Sequence, residues 1–220
     1  MFRIKICGVT NVDDARLAAD AGADAIGLNF FSKSRRFVTP EIARQIVAAL
    51  PANVTKVGVF VNHSAEEITQ IVNQVGLDCI QLHGDEPANI ISRLPVAVPI
   101  VRASRSSVGK FESLVVYWAL CRLLGRTPDA LLIDAASTSE YGGTGGVADW
   151  EAIAAHRSTF AGTPLILAGG LTPENVARAI AAVRPDGVDV ATGVEREPGR
   201  KRAALVLQFV TAARAAFDRV

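Results

Sequence analysis

Lys5-Ile6-Cys7-Gly8-Val9-Thr10 is the stretch that decides the fold, because its pattern is repeated along the rest of the chain. Read with the two-residue period of a β-strand, Ile4 and Ile6 point to one side, and Lys5 and Cys7 to the other. The stretch therefore predicts a strand with a thiol at its C-terminal tip. A cysteine in such a strand is most often an inert hydrophobic residue, so a chemical role for Cys7 needs support from elsewhere.

The residues after this strand begin a helix, and the same alternation continues to the end of the chain. Gly8 ends the strand, and Thr10 and Asn11 offer side-chain oxygens that cap the helix. Short apolar runs predict strands over Arg3–Cys7, Ala25–Asn29, Lys56–Asn62, Cys79–His83, Pro99–Ala103, Ala130–Asp134, Leu165–Gly169 and Gly187–Ala191. Helices are predicted over Val12–Ala21, Pro40–Leu50, Ala65–Val75, Pro87–Arg93, Phe111–Leu124, Asp149–His156, Pro173–Arg184 and Arg200–Ala216. Such alternation indicates an α/β protein with a parallel sheet.

The faces of the strands distinguish a closed barrel from an open sheet. An open doubly wound sheet is covered by helices on both faces, so its strands are aliphatic throughout. Here one face is aliphatic, and we predict that it points outward: Ile4, Ile6, Ile26, Leu28, Val57, Val59, Ile80, Leu82, Leu131, Ile133, Val188 and Val190. The other face is small or polar: Lys5, Cys7, Gly27, Asn29, Gly58, Asn62, Gln81, His83, Asp134 and Asp189. The sequence therefore predicts a single-domain (β/α)8 TIM barrel over residues 1–220, and eight units are too many for the alternative, a flavodoxin-like sheet.

Composition narrows the classes of function. The 220 residues carry a net charge of +1, which argues against a nucleic-acid or anionic-membrane surface. No apolar run is long enough to span a bilayer, and the chain enters a strand too early for a signal peptide. Cys7, Cys79 and Cys121 are widely spaced, as reduced thiols in a cytoplasm are. Neither they nor the histidines have metal-ligand spacing, so we expect a cytoplasmic protein without a metal, a membrane or a nucleic-acid partner.

The longest departure from regular spacing runs from Ser104 to Asp129 and contains Tyr117 and Trp118. It fits an enlarged fifth helix. It also fits a segment that exposes Tyr117 and Trp118 to a second subunit, so a monomer and a homodimer both stay open.

Chemistry in such barrels comes from strand ends and the loops after them, where Cys7, His83 and Asp134 are placed. Asp134 either caps the following turn or is a carboxyl whose pKa apolar surroundings raise, so that it donates a proton. His83 either contacts a substrate or bonds within the rim. Arg36 is either a solvated loop residue or a clamp for a substrate carboxylate.

Glycine-bearing turns follow the last three strands. Gly143 and Gly145 lie in the first, Gly142–Gly146. The other two are Ala168-Gly169-Gly170 and Thr192-Gly193, and they follow strands seven and eight, where barrels commonly bind phosphate through backbone N–H groups. Together they predict a phosphate site.

Lys5 needs a partner if it points into the barrel, because a buried charge must be paired. Strand eight adjoins strand one in a closed barrel, and Asp189 faces inward there. We predict a Lys5–Asp189 pair beneath Cys7, with a cation that lowers the pKa of Cys7 below a free thiol's roughly 8.5.

These stretches resemble the phosphoribosylanthranilate isomerase family of tryptophan biosynthesis over nearly the whole chain. The resemblance rests on Lys5-Ile6-Cys7-Gly8-Val9-Thr10, Gly58-Val59-Phe60-Val61-Asn62, Gln81-Leu82-His83-Gly84-Asp85-Glu86, Gly142-Gly143-Thr144-Gly145 with Asp149-Trp150, Leu167-Ala168-Gly169-Gly170-Leu171 and Gly187-Val188-Asp189-Val190. The chain departs from the usual family pattern at Arg35, Ala148, Thr192 and Arg202.

The resemblance implies that Cys7 is the general base, Asp134 the general acid and Arg36 the substrate-carboxylate ligand. The implied reaction is the Amadori rearrangement of N-(5-phosphoribosyl)anthranilate, with the 5-phosphate held by the glycine turns and no cofactor. The related histidine-pathway isomerase uses two aspartates, so Cys7 argues against it, although activity on both substrates stays open. A barrel that only binds a phosphorylated metabolite is a further alternative, but it would not need Cys7 and Asp134.

Overall fold

Eight parallel strands close into a barrel, in which each strand pairs with the next and the eighth pairs with the first. This computed structural model describes residues 1–105, 110–134, 150–160 and 162–220. The barrel strands are β1 Ile4–Cys7, β2 Ala25–Asn29, β3 Thr55–Phe60, β4 Cys79–Leu82, β5 Ile100–Arg105, β6 Ala130–Asp134, β7 Leu165–Ala168 and β8 Gly187–Val190. The predicted (β/α)8 class is confirmed, and the flavodoxin-like alternative is wrong because the sheet closes on itself.

Helices follow the strands and cover the outside of the barrel. They are α1 Val12–Asp20, α2 Pro40–Ala48, α3 Ala65–Val75, α4 Lys110–Leu123, α5 Trp150–Ala155, α6 Val176–Val183 and α7 Ala203–Phe217, with short 3-10 segments at Ala88–Arg93, Arg157–Phe160 and Thr192–Val194. Asn11 caps α1 by accepting a hydrogen bond from the Asp14 N–H. Thr10 turns away instead, and its hydroxyl donates to the Gly199 carbonyl. Within the described ranges, no helix is both long and apolar enough to cross a membrane.

Three predicted helices differ from the structure in type or begin three residues later than predicted. The fourth is a 3-10 segment, Ala88–Arg93, rather than an α-helix. The seventh begins only at Val176, because Asn175 accepts a bond from the Thr172 N–H and holds the preceding residues in a turn. The last begins at Ala203, since Arg200 and Lys201 form a strand instead. That strand, β10 Arg200–Lys201, pairs with β9 Glu195–Glu197 in an antiparallel hairpin.

The aliphatic strand faces pack outward against the helices, as predicted, with one exception. Val57 lies among the residues that fill the barrel interior, and Val59 lines the cavity at its top. Gly58 points outward, where an added Cβ would stand 2.5 Å from Leu77 and 2.8 Å from Phe60. The prediction for this strand is therefore wrong by one residue: Gly58 is small because outer side chains crowd it, not because it faces inward. The described part of the interior holds Phe2, Ala25, Val57, Cys79, Val101, Ala103, Ala130, Leu132, Ile166 and Ala168.

The long segment after β5 forms the enlarged fifth helix, α4. Trp118 is buried, with only 4% of its surface exposed, and it packs edge to face on Phe160 at 5.5 Å between ring centroids. Tyr117 is partly buried and lies under the guanidinium of Arg102, 4.9 Å from its carbon to the ring centroid. The alternative, in which both aromatic residues are exposed to a second subunit, is wrong because the protein's own core already covers Trp118.

Candidate active site

A cavity of about 250 Å³ opens at the C-terminal ends of the strands. The predicted site residues in the described part of the chain all line it, namely Cys7, Arg36, His83, Asp134, Gly169, Gly170, Thr192 and Gly193. Gly143 and Gly145 lie outside the described residues. Parallel strands of a closed barrel end at one rim, so side chains far apart in sequence meet at one cavity.

Lys5 and Asp189 form the predicted pair at the floor of the site. Strands β1 and β8 place the two residues side by side, and Lys5 Nζ lies 2.9 Å from Asp189 Oδ1 with its side chain fully buried. Burial lowers the pKa of Lys5, but Asp189 and Cys7 together outweigh burial, so the pKa is raised. Gly27 on β2 makes the space, because a Cβ there would stand 2.7 Å from Cys7 Sγ and 3.0 Å from Lys5 Cε.

The predicted direction of the Cys7 pKa is wrong. Burial and the negative charge of Asp189 raise the pKa of Cys7, and the cations Lys5 and Lys201 only partly oppose them. Cys7 is therefore mostly a thiol near neutral pH. The thiolate, once formed, is a stronger base than one with a low pKa, which suits removal of a weakly acidic proton.

Replacing Lys5 by methionine is expected to raise the pKa of Cys7 further, because the Lys5 charge favours the thiolate. Asp189→Asn is expected to lower it, since the Asp189 charge opposes the thiolate. Breaking the buried pair is also expected to cost about 3–5 kcal/mol of unfolding free energy. The measurement is the rate of Cys7 alkylation against pH, with Cys7→Ala giving the background from other thiols. If the alkylation rate had the same pH midpoint in wild type and in Lys5→Met, Lys5 would have no influence on the pKa of Cys7.

His83 stands between a buried glutamine and the candidate acid. Its Nδ1 lies 2.7 Å from Gln81 Nε2, and its Nε2 lies 3.8 Å from Asp134 Oδ2. With the Gln81 amide as donor, Nδ1 is an acceptor, so the ring proton of the neutral imidazole is on Nε2 and faces Asp134. His83 thus bonds within the rim and lines the cavity at the same time.

Arg36 is held by a carboxylate of the protein itself. Its Nε and Nη2 donate to the two oxygens of Glu195 at 2.9 and 2.6 Å, and Nη2 also donates to Thr192 Oγ1 at 3.0 Å. Gly8 makes room, because it has a φ of +70° and an added Cβ would stand 2.2 Å from Arg36 Cδ. Nη1 has no acceptor among the described residues, so its two N–H groups can bind a substrate carboxylate.

Sequence reasoning missed Glu195 and Lys201, which hold Arg36 in place. Lys201 Nζ donates to Glu195 Oε1 at 2.9 Å and to the Cys7 carbonyl at 2.6 Å. Burial raises the pKa of Glu195, but Arg36 and Lys201 outweigh it and keep the pKa low, so Glu195 stays charged. The signal was the Pro198-Gly199 turn between them, which is typical of a hairpin, whereas the predicted helix begins directly after that turn, at Arg200.

Glu195→Gln is expected to raise the KM for substrate roughly tenfold or more, with a smaller change in kcat, because the amide cannot hold the Arg36 fork through two charge-assisted bonds. The measurement is steady-state kinetics at fixed pH. Glu197→Gln is the matched control, since Glu197 is exposed on the same hairpin. An equal effect of both substitutions, or none from Glu195→Gln, would contradict this role.

Comparison with known proteins places the chain in one family. Residues 4–212 match the family model described as N-(5'phosphoribosyl)anthranilate (PRA) isomerase. The N-(5'-phosphoribosyl)anthranilate isomerase of Thermotoga neapolitana is 44% identical over 214 residues, which cover 97% of this chain and 99% of the relative.

Solved structures agree with this placement. The crystal structure of phosphoribosyl anthranilate isomerase from Thermotoga maritima has a TM-score of 0.87 and 39% identity, and the match covers 98% of this chain and 100% of that one. A phosphoribosyl anthranilate isomerase in complex with reduced 1-(o-carboxyphenylamino)-1-deoxyribulose 5-phosphate has a TM-score of 0.83 and 36% identity, with the same coverage. The chain belongs to the N-(5'-phosphoribosyl)anthranilate isomerase family.

Proposed function

We propose that Cys7 and Asp134 act as the general base and the general acid in the reaction of this enzyme. As a member of its family, the chain is an isomerase of tryptophan biosynthesis. Its reaction is the Amadori rearrangement of N-(5-phosphoribosyl)anthranilate to 1-(2-carboxyphenylamino)-1-deoxyribulose 5-phosphate. The observation that carries the assignment is that the thiol of β1 and the carboxyl of β6 line one cavity.

The rearrangement needs an acid and a base in turn. Asp134 protonates the furanose ring oxygen, so the C1–O bond breaks and the substrate nitrogen becomes an iminium. This cation makes the proton on sugar C2 acidic, and the Cys7 thiolate removes it to give an enolamine. The enolamine then tautomerises to the ketone. The substrate's own nitrogen is the electron sink, so the proposed mechanism uses no cofactor.

The two ends of the substrate are anionic, and we place them at two sets of residues. The 5-phosphate is assigned to the backbone at Gly169, Gly170 and Gly193 and to the hydroxyl of Thr192. Arg36 is assigned to the anthranilate carboxylate. Thr192 accepts a bond from Arg36 and can donate its own hydroxyl proton to phosphate, so it links the two ends.

Gly143 and Gly145 keep their predicted role as phosphate ligands. We also propose that residues 1–220 work as one catalytic domain in the cytoplasm, as a monomer or a homodimer. Neither nucleic acid nor a membrane is part of this proposal.

The test is fluorescence-monitored turnover of N-(5-phosphoribosyl)anthranilate by the purified wild-type chain. We expect turnover, with a product identical to 1-(2-carboxyphenylamino)-1-deoxyribulose 5-phosphate by mass and retention time. The histidine-pathway aminoaldose is the second substrate in the assay, and turnover of it would add a dual activity. Turnover of neither substrate would overturn the proposal.

A further inference from the structure

A second cavity, of about 240 Å³, lies on the other side of His83 from the catalytic one. Its polar lining includes His83 and Asp85 after β4, Arg102 and Ser104 on β5, and Ser113 and Tyr117 on α4. Apart from His83, none of its lining residues in the described part of the chain borders the catalytic cavity. The cavity therefore neighbours the catalytic site and is built from different groups.

Arg102 is buried and uses only one end of its guanidinium. Its Nη1 donates to Glu86 Oε2 at 2.8 Å and to the carbonyls of Gly84 and Leu82 at 3.0 and 3.3 Å. Its Nε is buried and has no acceptor among the described residues. No described residue accepts from Nη2 either, so both nitrogens of the Nε–Nη2 edge lack a partner within the described ranges. That edge is the fork with which arginine binds a carboxylate or phosphate through two parallel bonds.

Tyr117 adds a second unpaired donor at the same place. Its ring lies against the guanidinium of Arg102, and its hydroxyl is buried without a partner in the described part of the chain. Burial raises the pKa of Tyr117 despite the nearby charge of Arg102, so the hydroxyl keeps its proton and can donate it. Buried donors without partners are rare, because each costs the free energy of leaving water.

The ion pair with Glu86 does not explain why an arginine, rather than a lysine, stands at position 102. Glu86 faces Nη1 and also accepts bonds from the backbone N–H groups of Asn62 and Gly84. A lysine would satisfy the same carboxylate as a point charge. What only arginine supplies is the second edge, which has no hydrogen-bond acceptor among the described residues.

We propose that the second cavity is an oxyanion subsite, in which the Nε–Nη2 edge of Arg102 and the hydroxyl of Tyr117 hold the carboxylate or phosphate group of a small molecule. The hydroxyls of Ser104 and Ser113 lie on the same wall and can donate as well. A ligand there lies against His83 without entering the catalytic cavity. The proposal does not depend on the identity of the isomerisation substrate.

The test uses the indole N–H of Trp118 as a reporter, because its ring centroid lies 6.0 Å from that of Tyr117. Inorganic phosphate is titrated into the ¹⁵N-labelled protein, and sodium acetate is titrated in a second arm, to distinguish a phosphate from a carboxylate ligand. Sodium chloride at equal ionic strength is the reference. We expect a saturable shift of the Trp118 resonance with at least one of the two oxyanions. The shift should persist when reduced 1-(o-carboxyphenylamino)-1-deoxyribulose 5-phosphate is present, because that ligand is expected in the catalytic cavity.

Two variants identify the donors. Arg102→Lys keeps the charge beside Glu86 but removes the fork, and Tyr117→Phe keeps the ring but removes the hydroxyl. Each is expected to weaken oxyanion binding roughly tenfold or more, the effect of losing a hydrogen bond to a charged group. Arg122→Lys, on the exposed side of α4, is the matched control and should leave binding unchanged.

Thermal unfolding of each variant checks that it is folded. If Arg102→Lys does not fold, oxyanion binding by Tyr117→Phe alone tests the proposal. The proposal is overturned if neither oxyanion gives a saturable shift, if the shift is lost when the reduced product is present, or if a folded Tyr117→Phe binds as the wild type does.

Discussion

Cys7→Ser is expected to lower kcat by about 10²–10⁴-fold, the usual contribution of a positioned general base, while substrate binding changes little. A serine hydroxyl has nearly the same size as the thiol, but it does not ionise near neutral pH. The substitution therefore removes the base and leaves the cavity intact. The measurement is the initial rate of fluorescence change at saturating substrate.

The pH dependence gives this first prediction a second readout. Burial and Asp189 raise the pKa of Cys7, so the thiolate is a minor form near neutrality, and its fraction grows as the pH rises. We expect the wild-type rate to increase with pH through this range. The residual rate of Cys7→Ser should lack that increase.

Cys79→Ala is the matched control for the thiol. Cys79 lies in the barrel interior at the beginning of β4, away from the catalytic cavity, and burial raises its pKa to about 12. Its removal is expected to cost some stability but to leave kcat near the wild-type value. Wild-type kcat in Cys7→Ser would exclude Cys7 as the base.

The barrel itself was predictable because strand periodicity is a local property that survives folding. Of the six strands whose faces were predicted, five kept the predicted facing, and the exception, β3, shows what the sequence alone cannot supply. Gly58 is small for a reason that only the folded structure supplies, namely the approach of Leu77 and Phe60. A sequence shows that a residue is small, but not which neighbour requires it.

The supporting network of the site was not predictable, because it depends on contacts between distant segments. Lys201 reaches the Cys7 carbonyl across 194 positions of sequence, and Glu195 reaches Arg36 across 159. The sign of the Cys7 pKa change failed for a related reason. The pairing of Lys5 with Asp189 follows from strand order, but whether the cation or the burial dominates at a third residue is a balance of distances.

Asp134→Asn is expected to lower kcat by about 10²–10⁴-fold, because the amide is nearly isosteric with the carboxyl but has no acidic proton to give to the ring oxygen. Affinity for reduced 1-(o-carboxyphenylamino)-1-deoxyribulose 5-phosphate is expected to change little, which separates lost chemistry from lost binding. The matched control is Asp129→Asn, just before the same strand. Asp129 accepts a hydrogen bond from the Ile100 N–H at the end of the barrel opposite the cavity. Asp129→Asn should therefore lower stability but leave kcat unchanged.

The same variant distinguishes Asp134 from its neighbour His83 as the proton donor. The imidazole Nε2 lies 3.8 Å from the Asp134 carboxyl, and both side chains line the cavity, so each is a candidate for the proton donor. If His83 gave the proton, Asp134→Asn would keep most of its rate, because the asparagine carbonyl can still accept a bond from Nε2–H. His83→Asn would then be the inactive variant. If Asp134 gives the proton, the order is reversed, and His83→Asn keeps a rate well above that of Asp134→Asn. A rate for Asp134→Asn within a few-fold of wild type would therefore transfer the role of acid to His83.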